Sequence, residues 1–202
     1  MSRFRISLLG ILMLASFQSS MASDVTIGIP TYVGSGCPAN SADAVLVPDG
    51  SVLSVGYSDF QVEALPRKAA SKRCKLSIPI QVASGVQLIM TQTEFEGFLQ
   101  LPQSSLAKLH SVSRLFQGTR LKGLDLACYA KRGPYDGSLF IAKSHRYSLR
   151  TGCGGTYRLE VDTEIGLVNS SRNEAASFTL DGTNVAAQSG AVNLQLSYAS
   201  CR

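Results

Sequence analysis

Apolar and polar residues alternate with a period of two through most of this 202-residue chain, in short segments separated by turn sequences. A period of two is that of a β-strand with one buried face, whereas an amphipathic helix repeats about every 3.6 residues. The clearest hairpin pairs residues 44–47 with residues 52–55 around Pro-Asp-Gly-Ser, in which proline presets φ and glycine accepts positive φ. Further strands are predicted at residues 59–64, 76–82, 86–90, 157–162, 178–180 and 192–198.

One segment, residues 104–116, fits two assignments. Its leucines and valine recur every third residue, which suits a helix opened by Ser104 or Ser105. As a strand it would place Leu106 on the same face as charged side chains, and both assignments stay open. With no internal repeat and no linker, the whole pattern predicts one all-β domain, a single antiparallel β-sandwich of jelly-roll or immunoglobulin-like type with roughly eight to ten strands.

The start of the chain has the features of a secretory signal peptide. Arg3 and Arg5 precede an apolar run at residues 6–17, which is too short to cross a hydrocarbon layer of about 30 Å. The small residues Ser20 and Ala22 predict cleavage after Ala22, with Ser23 as the alternative. We therefore expect a signal peptide at residues 1–22 and one secreted or periplasmic domain at residues 23–202, without a transmembrane segment.

All five cysteines follow the predicted signal peptide: Cys37, Cys74, Cys128, Cys153 and Cys201. Export favours disulfides. No two cysteines have C-x-x-C spacing, and His110 and His145 lack ligand-type partners three or four positions away, so we expect no metal, no cofactor and both histidines at the surface. The odd count leaves one thiol, which we assign to Cys128 as inert filling among apolar neighbours.

The remaining four cysteines are predicted to form two disulfides, each stabilising the fold by about 3–4 kcal/mol through loop closure. Cys37 precedes the first hairpin and Cys74 begins a later strand, so both can lie at one end of a sandwich. This pairing leaves Cys153 with Cys201 by elimination, although a plain meander would put those two at opposite ends. The sequence therefore leaves the connectivity open.

Basic residues are concentrated in two places. The chain has 19 basic and 14 acidic residues, and without the two arginines of the predicted signal peptide the net charge is 17 − 14 = +3. The candidate ligand-binding residues are Arg67, Lys68, Lys72, Arg73 and Lys75, in a predicted loop, and Lys131, Arg132 and Arg146, ahead of the third disulfide cysteine. They predict an anionic ligand, such as an acidic glycan, an envelope component or a host or prey surface component; the alternative is a solvated loop. Residues 67–75 contain no aromatic side chain to stack on a base, so nucleic acid is not expected.

The motifs for catalysis are weak. Ser105 and Lys108 form an S-x-x-K pattern, but the elements that should accompany it occur in the wrong chain order. Glu94 and Glu96 would share one face of a strand and are expected to be a solvent-facing polar edge opposite Phe95. We therefore predict no catalytic residues and a non-catalytic binding module. The alternative is a small secreted hydrolase acting on polysaccharide or peptide.

Short motifs also suggest a family. They are Gly-Cys-Pro at residues 36–38, Cys-Lys-Leu-Ser-Ile at 74–78, Phe-Glu-Gly-Phe at 95–98, Cys-Gly at 153–154 and the final Cys201. In this order they resemble the secreted domain-of-unknown-function family DUF4360 over nearly the whole mature chain. The resemblance implies a secreted, disulfide-bonded, all-β protein of uncharacterised role. It favours a strand at residues 104–116, and it supplies no catalytic residue.

Overall fold

The computed structural model describes residues 24–180 and 191–201, without the side chains of residues 146–148, so the predicted signal peptide lies outside the described residues. The described part contains thirteen strands: β1 Val25–Ile27, β2 Thr31–Val33, β3 Ala42–Leu46, β4 Val52–Tyr57, β5 Phe60–Ala64, β6 Ala69–Val82, β7 Val86–Leu101, β8 Ser105–Gln117, β9 Arg120–Arg132, β10 Tyr135–Arg150, β11 Gly155–Asn169, β12 Ala176–Leu180 and β13 Val192–Ser200. In this part of the chain, no helix is long and apolar enough to span a membrane.

The strands form two antiparallel sheets. Sheet A has the order β1-β6-β11-β8-β9, with β2 also paired to β6. Sheet B has the order β3-β4-β13-β7-β12-β5, and β10 pairs with β7. The predicted all-β sandwich is confirmed, and residues 105–116 of the ambiguous segment belong to strand β8, which has a partner on each side. The predicted strand number was too low, because β1 and β2 are too short to show a period and β9 has apolar residues on its exposed face.

Alternate residues of the long strands fill the space between the two sheets. Sheet A contributes Leu76, Ile78 and Ile80 from β6, and sheet B contributes Phe95 and Leu99 from β7; each is at most 1% exposed. Fully burying a side chain of this kind stabilises a fold by about 1.5–3 kcal/mol. The residues between them in sequence point outward, so each sheet presents an outer face to solvent.

Four connections lie at one end of the sandwich, and each crosses from one sheet to the other. They are residues 65–68, 102–104, 133–134 and 170–175, and we call this end the loop end. Two of these connections hold a residue other than glycine at positive φ, Arg67 at 59° and Ser104 at 65°. Such conformations cost free energy and persist where the surroundings fix the backbone, so these turns are well determined.

Two disulfides join the chain to itself. Cys37 bonds to Cys74 and Cys153 to Cys201, with Cα–Cα distances of 5.4 and 5.8 Å, which is the pairing reached by elimination. Cys128 is free, which confirms that part of its prediction, but it is exposed, so its prediction as inert filling among apolar neighbours was wrong. Its apolar neighbours Leu124 and Leu126 lie on the outer face of β9 and are themselves 41% and 49% exposed. Local apolar composition therefore did not indicate burial in this edge strand.

Candidate anion-binding site

The first predicted basic cluster is divided between a turn and a strand. Lys72, Arg73 and Lys75 belong to β6, so their prediction as loop residues was wrong. The Arg73 guanidinium donates from Nε to Asp162 Oδ1 at 2.7 Å and from Nη2 to Oδ2 at 2.5 Å. Lys75 Nζ lies 2.9 Å from Glu160 Oε2. Two of the predicted ligand-binding side chains are therefore already paired with carboxylates of the neighbouring strand β11.

Asp162 is the centre of this ion-pair network. Its side chain is only 4% exposed, and Arg114 on β8 approaches the same carboxylate at 3.6 Å. The hydrogen bonds from Arg73 lower the pKa of the Asp162 carboxyl, against the opposing effect of its burial. An external anion at this place would have to compete with a buried carboxylate for Arg73. The middle of the outer face of sheet A is therefore electrostatically satisfied.

Other basic residues lie at the loop end of sheet A, and two of them, Lys108 and Arg132, are on the same outer face. The strand register places Ala69, Val168, Leu106 and Arg132 in one row across sheet A. Arg67 and Lys68 immediately precede that row, and the Lys68 carbonyl accepts a hydrogen bond from the Asn169 amide at 2.9 Å. The turn before β6 and the C-terminal end of β9 are far apart in sequence, but the register brings them to the same end of the sheet.

Lys108 lies two residues along β8 from Leu106, on the same face and opposite Gly166 of β11. Because Gly166 has no side chain, a shallow hollow of about 330 Å³ opens here, lined by Ser71, Lys108 and small or apolar neighbours. A Cβ atom built on Gly166 would meet only ordinary contacts, at 3.6 Å from Ser71 Cβ and 3.7 Å from the Ala70 carbonyl oxygen. A larger residue at position 166 would therefore fill the hollow, and its Cβ atom would not clash with its neighbours.

We define the basic end as Arg67, Lys68, Lys108 and Arg132. Among the described residues, none of these four has a carboxylate within 4.0 Å, unlike Arg73 and Lys75. The β11 carboxylate closest in register on this face is Glu164, which lies opposite His110 rather than Lys108. Four positive charges without a carboxylate partner at one end of a sheet, one of them lining the hollow, can attract and hold an anion.

The second predicted cluster does not form one surface. Arg132 points to the outer face, whereas Lys131 belongs to the opposite face of β9 and places its Nζ 4.5 Å from the centroid of the Tyr135 ring. The side chain of Arg146 lies outside the described residues. Sequence analysis missed Lys108 because it sits in the segment whose secondary structure stayed open, and only the pairing with β11 brings it to Arg67 and Lys68.

The histidines and the S-x-x-K pattern also have defined positions. His110 is exposed, but the His145 side chain is 1% exposed and contacts Asp125 Oδ2 and, at 3.1 Å, Thr93 Oγ1, so its prediction as a surface residue was wrong. Ser105 is buried and donates to Asn169 Oδ1 at 2.8 Å, while Lys108, three positions along the strand, points to the outer face. In the described part of the chain, no three His, Cys, Asp or Glu residues are grouped to hold a metal ion.

Comparisons with known proteins place the chain in a family. A curated relative from Arthroderma benhamiae, an uncharacterized secreted protein, is 21% identical over 159 residues, which cover 76% of this chain and 64% of that relative. The solved structure of TmCBM61 in complex with β-1,4-galactotriose is similar over 85% of this chain and 88% of that one, with 9% identity and a TM-score of 0.28.

A second solved structure, the enzymatically active domain of bacteriophage CBA120 tailspike protein 4, is 12% identical over 88% of this chain and 19% of that one, with a TM-score of 0.22. With TM-scores this low, neither structural similarity bears on the function of this chain. The profile of the domain of unknown function DUF4360 matches residues 23–201. Because that match covers most of the chain, this protein belongs to the DUF4360 family.

Proposed function

We propose that this protein is exported and acts as a non-catalytic binding module for an anionic ligand, held at the basic end of sheet A. The observation that carries the proposal is the contrast within sheet A: Arg73 is paired with a buried carboxylate, while Arg67, Lys68, Lys108 and Arg132 at the loop end are not. Charges left without a protein partner are the ones free to bind an external one. The two disulfides fit an oxidising compartment outside the cytosol.

The spacing of the charges favours a polymer over a single small anion. Ala69 and Arg132 end a row of four paired strands, so the basic groups span about 14 Å at roughly 4.8 Å per strand. A chain with repeated carboxylate or sulfate groups could contact Lys108 and Arg132 on the outer face together, and reach Arg67 and Lys68 at the loop end. We therefore propose an acidic polysaccharide as the ligand class, with one acidic group seated in the hollow at Gly166.

The test compares mature protein and variants on immobilised polygalacturonate and on a sulfated polysaccharide. Lys108→Gln combined with Arg132→Gln is expected to weaken binding about fivefold to thirtyfold, because each lost exposed charge contact is worth roughly 0.5–1 kcal/mol. Gly166→Val should weaken it further by filling the hollow. Binding should also fall as ionic strength rises, because exposed charges are screened over about 10 Å at 0.1 M salt.

The matched control is Arg120→Gln combined with Lys122→Gln, which removes the same charge from exposed residues at the far end of β9. This control should bind like the unmodified protein. Equal losses in both double variants would mean that net charge rather than the basic end governs binding. Salt-insensitive binding, or no binding to either acidic polymer, would contradict the proposal.

A further inference from the structure

The outer face of sheet B carries a surface of different chemistry. Along β7 the outward positions hold Gln92, Glu94, Glu96, Phe98 and Gln100. The facing outward positions of β10 are all exposed and hold Asp136, Ser138, Phe140, Ala142 and Ser144. None of these ten residues is basic, so the surface differs in kind from the basic end of sheet A.

Two phenylalanines stand out from this face. Phe98 is 45% exposed and Phe140 is 63% exposed. Phe98 lies opposite Ser138 and Phe140 opposite Glu96, so the two rings belong to diagonal neighbours on adjacent strands. A pair of exposed aromatic rings on the face of a sheet offers an apolar platform, and the C–H face of a sugar ring is also an apolar surface.

A row of fixed polar groups continues the face beyond the rings. Gln92 Nε2 donates to Glu94 Oε1 at 2.7 Å, and Gln195 Nε2 donates to Glu94 Oε2 at 3.0 Å. Ser144 Oγ donates in turn to Gln92 Oε1 at 3.3 Å. Each carboxylate oxygen can accept about two hydrogen bonds, so Glu94 keeps acceptor capacity on a carboxylate whose plane is already fixed. Oriented acceptors next to an aromatic platform suit ligands rich in hydroxyl donors.

At the loop end the same face opens into a cleft of about 810 Å³. Its polar lining comes from Gln100, Gln103, Tyr135, Asp136 and Glu174, and no lysine or arginine lines it. Gln100 and Asp136 are register partners, one row beyond Phe98 and Ser138, so the cleft continues the face without a break. Its volume lies within the range of sites that hold small ligands.

We propose that the strip from Gln92 over Phe98 and Phe140 to this cleft binds an uncharged oligosaccharide in an extended conformation. Nine residues of β7 span about 26 Å at roughly 3.3 Å per residue, which is the length of an oligosaccharide rather than of a single sugar. Glu94, Glu96, Asp136 and Glu174 would repel an acidic chain and accept hydrogen bonds from hydroxyl groups. The proposal is independent of the basic end, which lies on the outer face of the other sheet.

The experiment is affinity electrophoresis of the mature protein in gels containing neutral soluble polysaccharides: a β-glucan, a galactan, a mannan and a starch. The unmodified protein is expected to be retarded by at least one of them, equally at low salt and high salt. Phe98→Ala combined with Phe140→Ala should weaken that binding at least about tenfold, because the platform is lost while both side chains are already exposed. Glu94→Gln should weaken it less, since one oriented acceptor remains.

The matched control is Leu124→Ala combined with Leu126→Ala, which removes exposed apolar side chains from the outer face of sheet A. This variant, and Lys108→Gln with Arg132→Gln, should keep full affinity for the neutral polysaccharide. The phenylalanine double variant should keep its binding to polygalacturonate. The two proposed sites can therefore be tested independently of each other. Absence of retardation by every neutral polysaccharide, or unchanged retardation of the phenylalanine variant, would overturn the inference.

Discussion

The outer faces of the two sheets differ in the partners of their carboxylates, which are charged on sheet A and neutral on sheet B. On sheet A, Asp162 is nearly buried and lies beneath the guanidinium of Arg73, with Arg114 close by. On sheet B, Glu94 is partly exposed and is held by the neutral amides of Gln92 and Gln195. Both carboxylates are fixed in place, but only the first is neutralised by its partners.

This difference separates a supporting role from a binding role. A buried carboxylate needs a charged partner because desolvation is costly, and the Asp162 network links strands β6, β11 and β8. An exposed carboxylate oriented by amides keeps its charge and its hydrogen-bonding capacity. We expect substitutions in the first network to change stability and substitutions around the second to change binding.

The largest effect is expected from Arg73→Glu, which places a second negative charge beside the buried Asp162. Breaking a buried ion pair is strongly destabilising, but water screens part of the change because the Arg73 side chain is 61% exposed. The free energy of unfolding should fall by about 1–3 kcal/mol in urea denaturation. Lys122→Glu, at an exposed position of β9, is the control and should change it by about 0.5 kcal/mol or less. Equal effects of the two would remove the distinction between the faces.

Acid should weaken the sheet A network. The pKa of Asp162 is lowered in the folded state, so its pairing stabilises the fold above the unfolded-state value of about 3.9 and is lost as pH falls through the lower folded value. The stability difference between the unmodified protein and Arg73→Ala should therefore be largest near neutral pH and shrink below about pH 4. Urea denaturation of both proteins across this range measures it. A difference that stays constant down to about pH 2 would contradict the pairing.

Removing the charge but keeping the shape should distinguish the two carboxylates more finely. Asp162→Asn turns an amide donor toward the Arg73 donors, which cannot become acceptors, and should cost about 1–2 kcal/mol of stability. Glu94→Gln should cost about 0.5 kcal/mol or less, because the Gln195 amide can rotate and present its oxygen. Thermal unfolding of the two variants side by side tests the ranking, and a larger cost at Glu94 would reverse it.

The smallest effect is expected at Cys128 on the exposed face of β9. Cys128→Ser should leave the free energy of unfolding unchanged within about 0.5 kcal/mol, because no buried contact is removed. In the native protein a thiol reagent should label one cysteine per molecule, and peptide mapping should locate the label at Cys128. A native protein that resists labelling until it is unfolded would contradict the exposed position.

Sequence analysis succeeded where one face of a strand is buried and failed where burial depends on a distant partner. The predicted strand at residues 76–82 is part of β6, since Leu76, Ile78 and Ile80 all point into the core. In β8 the leucines at 109 and 115 point inward while Val112 is buried on the outer face, opposite Asp162. Apolar residues at every third position of a strand alternate between its faces, and that pattern cannot be told from a helix without the neighbouring strands.

The candidate site shows the same limit. The basic character of residues 67–75 is visible in the sequence, but Arg73 pairs with an aspartate 89 residues away. Nothing local indicates that Asp162 neutralises Arg73 while Lys68 stays unpaired. Likewise, Lys108 joins Lys68 and Arg132 only through the register of β8 between β11 and β9. Charge patterns predicted the kind of surface, and strand register decided which charges remain available.

The order of the strands in sheet B bears on how the chain reaches its native state. β13 lies between β4 and β7, and it buries the hydrogen bond between Ser54 and Asn193, whose partners are 139 residues apart. While β13 is still being synthesised, β4 and β7 have no common neighbour and this sheet remains in two parts. Pairing between residues so far apart in sequence forms slowly, because the entropy cost of closing the loop comes before the contacts that stabilise the sheet. Sheet B is thus completed only after β13 has been made, whereas every strand of sheet A precedes β13 in the chain.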